Sequence, residues 1–300
     1  MKKKTYLFAL MAMALTLGSC SDNENGIGGE TSKYITVSTS IGNMTRVATD
    51  AKGGQTFEEG DEISVYAWTG APTVAPETSE RVVNNAINKL TNGSWVSTPQ
   101  MLWKNNREKH YFIGVYPTAA ISDLSAGEYT FDANKQTESD LLVAVNPDGL
   151  SYSADAQQIV PLTFIHVMSK LAVNLTYKNQ WGGIPTVEKV VVGNAAKEAT
   201  INYLTKVVTP STTAKEDFSL PEITENTKYV SVIIPQEEVT QLTIVIGGKN
   251  FVYDNGTPFK LESGKITTVN LEVGRDEIKL GDVKITNWED GSTFSGEALN

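Results

Sequence analysis

The sequence holds few residues whose type and spacing could do chemistry. Its 300 residues include two histidines and one cysteine, and it contains no H-E-x-x-H, G-x-S-x-G, P-loop, EF-hand or C-x-x-C motif. His110 and His166 are too few for a His-rich metal site, and His166 lies in the apolar run PLTFIHVMSKL, which is typical of a core histidine with a backbone partner. The 35 acidic residues could include a glycosidase pair, but such a pair is defined by its separation in space and no second feature supports one. We therefore expect no enzymatic activity, no metal and no cofactor.

Cys20 is the residue with the clearest chemical role. It ends the segment MKKKTYLFALMAMALTLGSC, which has a basic start, an apolar run too short to span a membrane, and small residues before the cysteine. The last four of these residues resemble the lipobox of bacterial lipoproteins, in which the cysteine becomes the acylated N-terminus. The segment therefore predicts a lipoprotein signal peptide over residues 1–19 and a lipid anchor, such as palmitate, on Cys20 in the outer membrane. An ordinary signal peptide that happens to end at Cys20 is the alternative.

The residues after Cys20 bear on location and partners. Residues 20–32 are polar, acidic and rich in glycine, which predicts a flexible tether. This acidic stretch also resembles the signal that sends some lipoproteins of Gram-negative anaerobes to the cell surface. Removal of residues 1–19 takes away three lysines and no acidic residue, so the net charge changes from −10 to −13. Such a surface repels nucleic acid, and we expect no nucleic-acid partner.

Almost every segment after Lys33 alternates apolar and polar residues with a period of two, which predicts β-strands. SERVVNNAINKL lacks a wide apolar stripe and is also assigned to a strand. Asn92-Gly93 predicts a hairpin, and Asp254-Asn255-Gly256 predicts another tight reversal. These patterns indicate an all-β chain built from sandwiches. Pro, Gly, Ser and Asp cluster in residues 146–158, which predicts an N-terminal domain over 33–155 and a C-terminal domain over 156–300.

Two segments near the ends of this region have alternations that bear on function. Residues 33–41 form a predicted strand whose apolar residues, Ile35, Val37 and Ile41, lie on one face. A polar segment with Arg46, one of only four arginines, follows this strand. Near the C-terminus the alternation of Ile278 and Leu280 is interrupted at Gly281 and resumes at Val283 and Ile285. A phase change at a glycine indicates either a bulge or two separate strands.

Several motifs resemble those of the fimbrillin-like family, which includes type V fimbria subunits and related lipoproteins. FEEGDEISVYAW (57–68) is similar to the family's F-x-x-G-D-x-I-x-V-Y-A block, and Trp103 followed by HYFIGVYP (110–117) continues the match. VPLTFIHVMSKLAVNL (160–175) is similar to the L-x-F-x-H-x-x-S-x-L-x-V strand pair, and VKITNWEDG (283–291) to the closing I-x-x-W segment. The motifs occur in family order over most of the chain.

The resemblance implies two tandem transthyretin-like, Greek-key β-sandwich domains in a lipoprotein precursor. It further implies that an arginine-directed protease cuts between Arg46 and Val47 and that the strand with Ile35, Val37 and Ile41 leaves. An extended segment of another fimbrial subunit then fills the groove. The donor candidate is the segment 276–288, with Ile278, Leu280, Val283 and Ile285, although this segment could equally complete its own domain. The expected location is the outer-membrane surface, and the fimbrium after processing.

Two functions remain open at this point. The first is a structural or adhesive subunit of cell-surface fimbriae, with other subunits and a host or bacterial receptor as partners. The alternative is a monomeric surface lipoprotein that binds glycans or host ligands, because five tryptophans could stack on sugar rings. Trp68 and Trp103 lie in or beside apolar strands, however, where core packing is the commoner use of tryptophan.

Overall fold

A computed structural model describes residues 33–42, 56–136, 138–154 and 156–288. Cys20, Arg46 and Val47 lie outside these ranges. Apart from two short 3-10 helices, Thr78–Glu80 and Asn179–Trp181, the regular structure described is β-strand, so the all-β prediction is confirmed. Within the described ranges no helix is long and apolar enough to cross a membrane.

The strands, in chain order, are β1 Thr36–Ile41, β2 Glu62–Thr69, β3 Val83–Thr91, β4 Ser94–Thr98, β5 His110–Tyr116, β6 Gly127–Thr130, β7 Leu142–Leu150, β8 Ile159–His166, β9 Ser169–Tyr177, β10 Val187–Ala196, β11 Glu198–Asn202, β12 Val207–Pro210, β13 Lys215–Ser219, β14 Glu222–Thr224, β15 Lys228–Ile233, β16 Gln236–Ile246, β17 Lys249–Leu261, β18 Lys265–Val273 and β19 Ile278–Asn287.

These strands form four sheets. The largest has seven strands in the order β1-β8-β7-β5-β2-β3-β4, and the second largest has five in the order β14-β15-β9-β18-β19. A four-stranded sheet has the order β13-β10-β16-β17, and a three-stranded sheet has the order β12-β11-β6. Among these described strands two pairings are parallel, β1 with β8 and β9 with β18, and the others are antiparallel.

The seven-stranded sheet has apolar side chains on both faces. In β2, Ile63, Val65 and Ala67 belong to one buried cluster, which we call the barrel core. Tyr66 and Trp68, on the opposite face, belong to a larger cluster that includes the buried residues of the later sheets. Because both faces are covered, β2 is buried along nearly its whole length rather than at alternate residues.

The barrel core is enclosed by the seven-stranded sheet and the segment after β4. The two edge strands, β1 and β4, contact each other: the Trp95 Nε1–H donates to Thr39 Oγ1 at 3.0 Å. Two edges of one sheet can meet only if the sheet curls onto itself, so this sheet approaches a closed barrel.

Strand pairing crosses the predicted boundary at residue 155. β8, which follows the boundary, hydrogen-bonds β7 and β1. β6, which precedes it, pairs with β11. The division into two tandem Greek-key sandwiches over 33–155 and 156–300 stays a prediction.

Of the two turns that the sequence predicts, one is present in the structure and the other is not. Asn92 and Gly93, with φ of 51° and 72°, form the turn between β3 and β4 as predicted. The predicted reversal at Asp254-Asn255-Gly256 is wrong, because β17 runs through these residues from Lys249 to Leu261 with a register shift against β16. The preceding reversal uses Gly247-Gly248 instead, whose φ angles are 58° and 73°.

Replacement of Gly93 by alanine tests the hairpin. A Cβ at this position meets no atom within 4 Å, but φ is +72°. The change should therefore lower the free energy of unfolding by about 1–2 kcal/mol through backbone strain alone. Chemical denaturation measures the loss. Ser94→Ala, at an exposed position of β4, is the control and should change stability by less than about 0.5 kcal/mol.

Candidate functional site

The candidate site is the groove that β1 fills between the edges of the seven-stranded sheet. On one side β1 pairs in parallel with β8, with a register from Thr36 opposite Ile159 to Ile41 opposite Phe164. On the other side, residues preceding β1 pair with the segment after β4: the Ile35 N–H donates to the Met101 carbonyl at 2.9 Å. The first strand is thus the element that closes the barrel.

Alternate side chains of this strand point into the barrel core, as its sequence predicts. Ile35 is 2% exposed and Val37 7% exposed. Ile41 is half-buried and packs against the same core. Ser38 and Ser40, on the opposite face, are exposed.

The groove under β1 is apolar. Its described lining comes from β2, β3, β5, β7 and β8 and from the segment after β4: Ile63, Val65, Ala67, Val83, Ala86, Met101, Trp103, Phe112, Leu142, Ala144, Val160, Leu162 and Phe164. Removal of β1 would expose this surface to water together with the unpaired backbone groups of β8. Exposed apolar surface next to an open sheet edge favours association with another β-strand.

Aromatic side chains fix the end of the groove where the chain leaves β1. Phe57, the second described residue after the segment 43–55, packs edge-on against Phe164 and Trp95 at centroid distances of 5.1 and 5.3 Å. Tyr116 completes the cluster, 5.4 Å from Phe57. Gly42, the last described residue before the segment 43–55, also contacts this cluster, because its N–H donates to the Phe164 carbonyl at 3.1 Å.

His110 supports the other end of the groove. The Trp103 ring lies edge-on to the His110 ring, with centroids 5.0 Å apart. The backbone N–H of Trp103 donates to the Lys33 carbonyl at 3.2 Å. His110 Nε2 accepts a hydrogen bond from the Lys104 N–H at 3.0 Å. Burial lowers the pKa of His110, since the charged form loses hydration there. The sequence alone gave no sign that His110 supports the strand that closes the barrel.

The other arginines differ in accessibility. Arg81 is 8% exposed, and its guanidinium donates to the carbonyls of Ile121 and Ser122 at 2.6 Å. Arg107 and Arg275 are exposed, in turns that precede β5 and β19. Burial therefore protects Arg81 from an arginine-directed protease. Arg107 and Arg275 are accessible to such a protease.

β19, the donor candidate, is here the edge strand of the five-stranded sheet. It pairs with β18 in that sheet, and the register shifts at Gly281, so the phase change is a bulge within one strand. The bulge places all four apolar residues of β19 opposite core-facing residues of β18, in the pairs Ile278–Val273, Leu280–Leu271, Val283–Val269 and Ile285–Thr267. Val283 and Ile285 are nevertheless 36% and 40% exposed. A role for this strand as donor stays a prediction.

Trp288, directly after β19, packs against the end of β8 and the start of β9. Its ring stacks on His166 with centroids 4.0 Å apart, and Lys170 Nζ lies 4.1 Å from its centroid in a cation–π contact. His166 is buried as expected, but its Nδ1 lies 2.8 Å from the Asp140 carboxylate rather than against a backbone group. The contact between His166 and Asp140 joins residues 26 positions apart, so the sequence pattern around His166 could not reveal it.

Metal-ligating side chains do not cluster beside the groove in the part of the chain that the structure describes. There, no group of three or more His, Cys, Asp or Glu side chains could hold a metal ion. Trp68 and Trp103 are 2% and 9% exposed, as core packing predicts, so neither presents a free ring face to a sugar. A shallow cleft of about 750 Å³ lies beside them, lined in part by Val74, Arg81 and Leu102.

Comparison with solved structures establishes the class of fold. A candidate cell adhesion protein from Bacteroides uniformis superposes with a TM-score of 0.65 at 17% identity, covering 86% of this chain and 100% of that chain. A second, from Bacteroides ovatus, gives 0.64 at 17% identity, covering 85% and 98%. A fimbrial protein from Bacteroides vulgatus gives 0.50 at 13% identity, covering 84% and 99%. No curated protein matches the sequence.

The family follows from the sequence comparison. Residues 45–288 match the fimbrillin-like family, a span that includes every described strand except β1. The chain belongs to the fimbrillin-like family, which confirms the resemblance drawn from the motifs.

Truncation of the inward-facing residues tests how much the closing strand stabilises the fold. Ile35→Ala should lower the free energy of unfolding of the uncut protein by about 2–5 kcal/mol, because it removes buried methylene groups and leaves a cavity. Ser38→Ala, on the exposed face of the same strand, should change it by less than about 0.5 kcal/mol. Equal effects of the two changes in urea denaturation would contradict the assigned strand orientation.

Acidification tests the role of His110. Because the folded-state pKa is lowered, the neutral form stabilises the fold, and this contribution is complete above the unfolded pKa of about 6.5. Stability should fall as the pH decreases from about 6.5 toward the lower folded pKa. Gln at position 110 can still accept from the Lys104 N–H and does not titrate. The stability of wild type relative to His110→Gln should therefore decrease between pH 7 and pH 5 in denaturation at each pH; an unchanged difference would contradict the assignment.

Proposed function

We propose that this protein is a structural or adhesive subunit of cell-surface fimbriae, exported as a lipoprotein and assembled by protease-triggered β-strand exchange. The observation that carries the proposal is the position of β1. It fills an apolar groove, closes the barrel, and is followed by the segment 43–55 that contains Arg46. Membership of the fimbrillin-like family and the fold shared with solved cell adhesion proteins support the same function. No catalytic role is proposed.

The closing strand contributes so much to stability that a cleaved subunit needs a replacement strand to stay folded. Burial of each large aliphatic side chain contributes about 1.5–3 kcal/mol. Ile35, Val37 and Ile41 together contribute about 5–9 kcal/mol, toward the lower end because Ile41 is half-buried. Whole domains are stable by only about 5–15 kcal/mol. A subunit that lost β1 and gained nothing would therefore be close to unfolding, whereas a second strand in the groove restores the loss.

The donor in this proposal is β19 of another subunit. In its own sheet its apolar residues share one face because of the bulge at Gly281, and as a straight strand it presents Ile278 and Leu280, two residues apart, to the groove. An edge strand can leave its sheet without breaking the order of the remaining strands. Main-chain hydrogen bonds would supply affinity in the new groove, and the alternate side chains would set the register.

Export and processing complete the sequence of events. Acylation of Cys20 holds the precursor at the outer-membrane surface, and an arginine-directed protease cuts between Arg46 and Val47. The lipid, the tether and β1 then leave the subunit as one piece. The partners are other fimbrial subunits, in a homo- or heteropolymer, and a host or bacterial receptor.

A monomeric surface lipoprotein that binds glycans or host ligands is the second candidate. The shallow cleft beside Trp103 favours it, because two of its lining residues, Val74 and Leu102, are 62% and 50% exposed. Binding on a glycan array that Leu102→Ala abolishes, in protein that remains monomeric after cleavage, would favour this function.

Cleavage after Arg46 tests the fimbrial proposal. The starting protein carries Arg107→Lys and Arg275→Lys, which keep the charge and remove the two exposed competing sites. An arginine-specific protease should then produce a new N-terminus at Val47, and intact-mass and size-exclusion analysis should find oligomers. The matched control adds Arg46→Lys and should stay uncut and monomeric.

Material sheared from cells gives the corresponding result in vivo. A mature N-terminus at Val47 supports processing, whereas one at acylated Cys20 rejects it. Cut protein that loses β1 and remains a stable monomer would contradict strand exchange.

A further inference from the structure

In the segment 35–41, which is β1 and the residue before it, the third inward-facing position is polar, although its neighbours on that face are aliphatic. Val37 and Ile41 flank Thr39, which is half-buried and accepts a hydrogen bond at Oγ1 from Trp95 Nε1–H at 3.0 Å. Ile35 and Val37 occupy the two most deeply buried positions. In the direction of β1, the groove therefore accepts two aliphatic side chains and then offers a hydrogen-bond donor to the third.

The donor at this position is held in place. Trp95 lies in β4, where it pairs with Leu90, and its ring packs edge-on against Phe57 at 5.3 Å with an interplanar angle of 83°. Phe57 is in turn held by Phe164 and Tyr116. An indole N–H can only donate, and the packing of the ring against Phe57 favours its present orientation. A strand without an acceptor at this position would leave the N–H unpaired, which is costly in a partly buried site.

We propose that Trp95 is a specificity residue of the groove. It selects strands that carry a hydrogen-bond acceptor two residues after the second of two alternating large aliphatic residues. The proposal rests on the proposed function, strand exchange at this groove, and names the feature by which the groove recognises its occupant. The occupant is β19 of a second copy of this chain.

The sequence of β19 fits this requirement in two registers. In the first, Ile278, Leu280 and Asp282 take the positions of Ile35, Val37 and Thr39. In the second, the corresponding residues are Val283, Ile285 and Asn287. Other straight registers of residues 276–287 place a charged residue or glycine at one of the two buried positions, or an aliphatic residue opposite the indole N–H.

The first register is the one that we assign. The second would put Trp288, now 5% exposed, on the outward face at the position of Ser40, which is exposed. In the first register Gly281 lies at the outward position of Ser38 and the smaller Val283 at that of Ser40. Lys284 takes the half-buried position of Ile41, where its alkyl stem can pack while its ammonium group reaches water. Asp282 is exposed in its present sheet and would accept from the indole as a carboxylate, which makes a stronger hydrogen bond than a neutral acceptor.

Competition between peptides tests the proposal on the full chain cut after Arg46, with Arg107→Lys and Arg275→Lys to prevent other cuts. A labelled copy of residues 33–42 is displaced by unlabelled copies of the same segment or of residues 276–288. The Thr39→Val peptide, which keeps the shape and lacks the acceptor, should compete about tenfold less well than its parent. In the second peptide Asp282→Ala should cost about tenfold and Asn287→Ala should cost nothing.

A change in the groove provides the reciprocal test. In protein carrying Trp95→Phe, which keeps an aromatic ring against Phe57, the unsubstituted peptide and the Thr39→Val peptide should compete equally. Should this variant fail to fold, the comparison of the two peptides on unsubstituted Trp95 still decides.

Each part of the proposal is overturned by a different result of the competition experiment. Equal competition by the unsubstituted and Thr39→Val peptides on unsubstituted Trp95 would overturn the role of this residue while exchange itself stands. A loss with Asn287→Ala and none with Asp282→Ala would overturn the assigned register. If no unmodified peptide displaces the labelled one, the proposed strand exchange fails as well.

Discussion

The structure of the first half of this protein depends on one constraint: a seven-stranded sheet must close around its own core, and its two edges meet without a continuous hydrogen-bond ladder. β1 and the residue before it satisfy the constraint, because β1 pairs along its length with β8 and because Ile35 and Val37 pack in the core. Residues 33–35 form the few backbone hydrogen bonds to the opposite edge. One short strand thus separates a closed fold from an open apolar groove.

The same strand that holds β1 also reaches the C-terminal strand. β8 pairs with β1 along one edge and ends at His166, whose ring stacks on Trp288 directly after β19. Asp140 holds the imidazole from the other side through Nδ1. The two strands that the proposed assembly requires to move are therefore both attached to β8, one through its backbone and one through its last side chain.

Local patterns predicted much of this arrangement, and distant contacts account for the rest. The period-two alternation predicted β1 with its inward residues, because alternation is a property of a single strand. The phase change at Gly281 predicted either a bulge or two strands, and pairing with β18 shows that it is a bulge. Asp254-Asn255-Gly256 misled, since these residues lie within β17 at a register shift against β16, and the pairing resumes at Phe259. The contact of Trp95 with Thr39 and that of Trp288 with His166 join residues 56 and 122 positions apart, beyond the reach of any spacing rule. Cys20 and Arg46 lie outside the described residues, so their roles stay predictions.

The most direct test of the account is to lock β1 in its groove. Ser40 Oγ and Thr163 Oγ1 lie 3.2 Å apart on the exposed face, so cysteines at these positions can form a disulfide between β1 and β8. The test uses protein with Cys20→Ser, the arginine-specific protease, and oligomer size measured by light scattering before and after reduction. The account predicts normal cleavage after Arg46, no oligomers while the disulfide is intact, and assembly once it is reduced. Oligomers that form with the disulfide intact would contradict the claim that β1 must leave before another chain can bind.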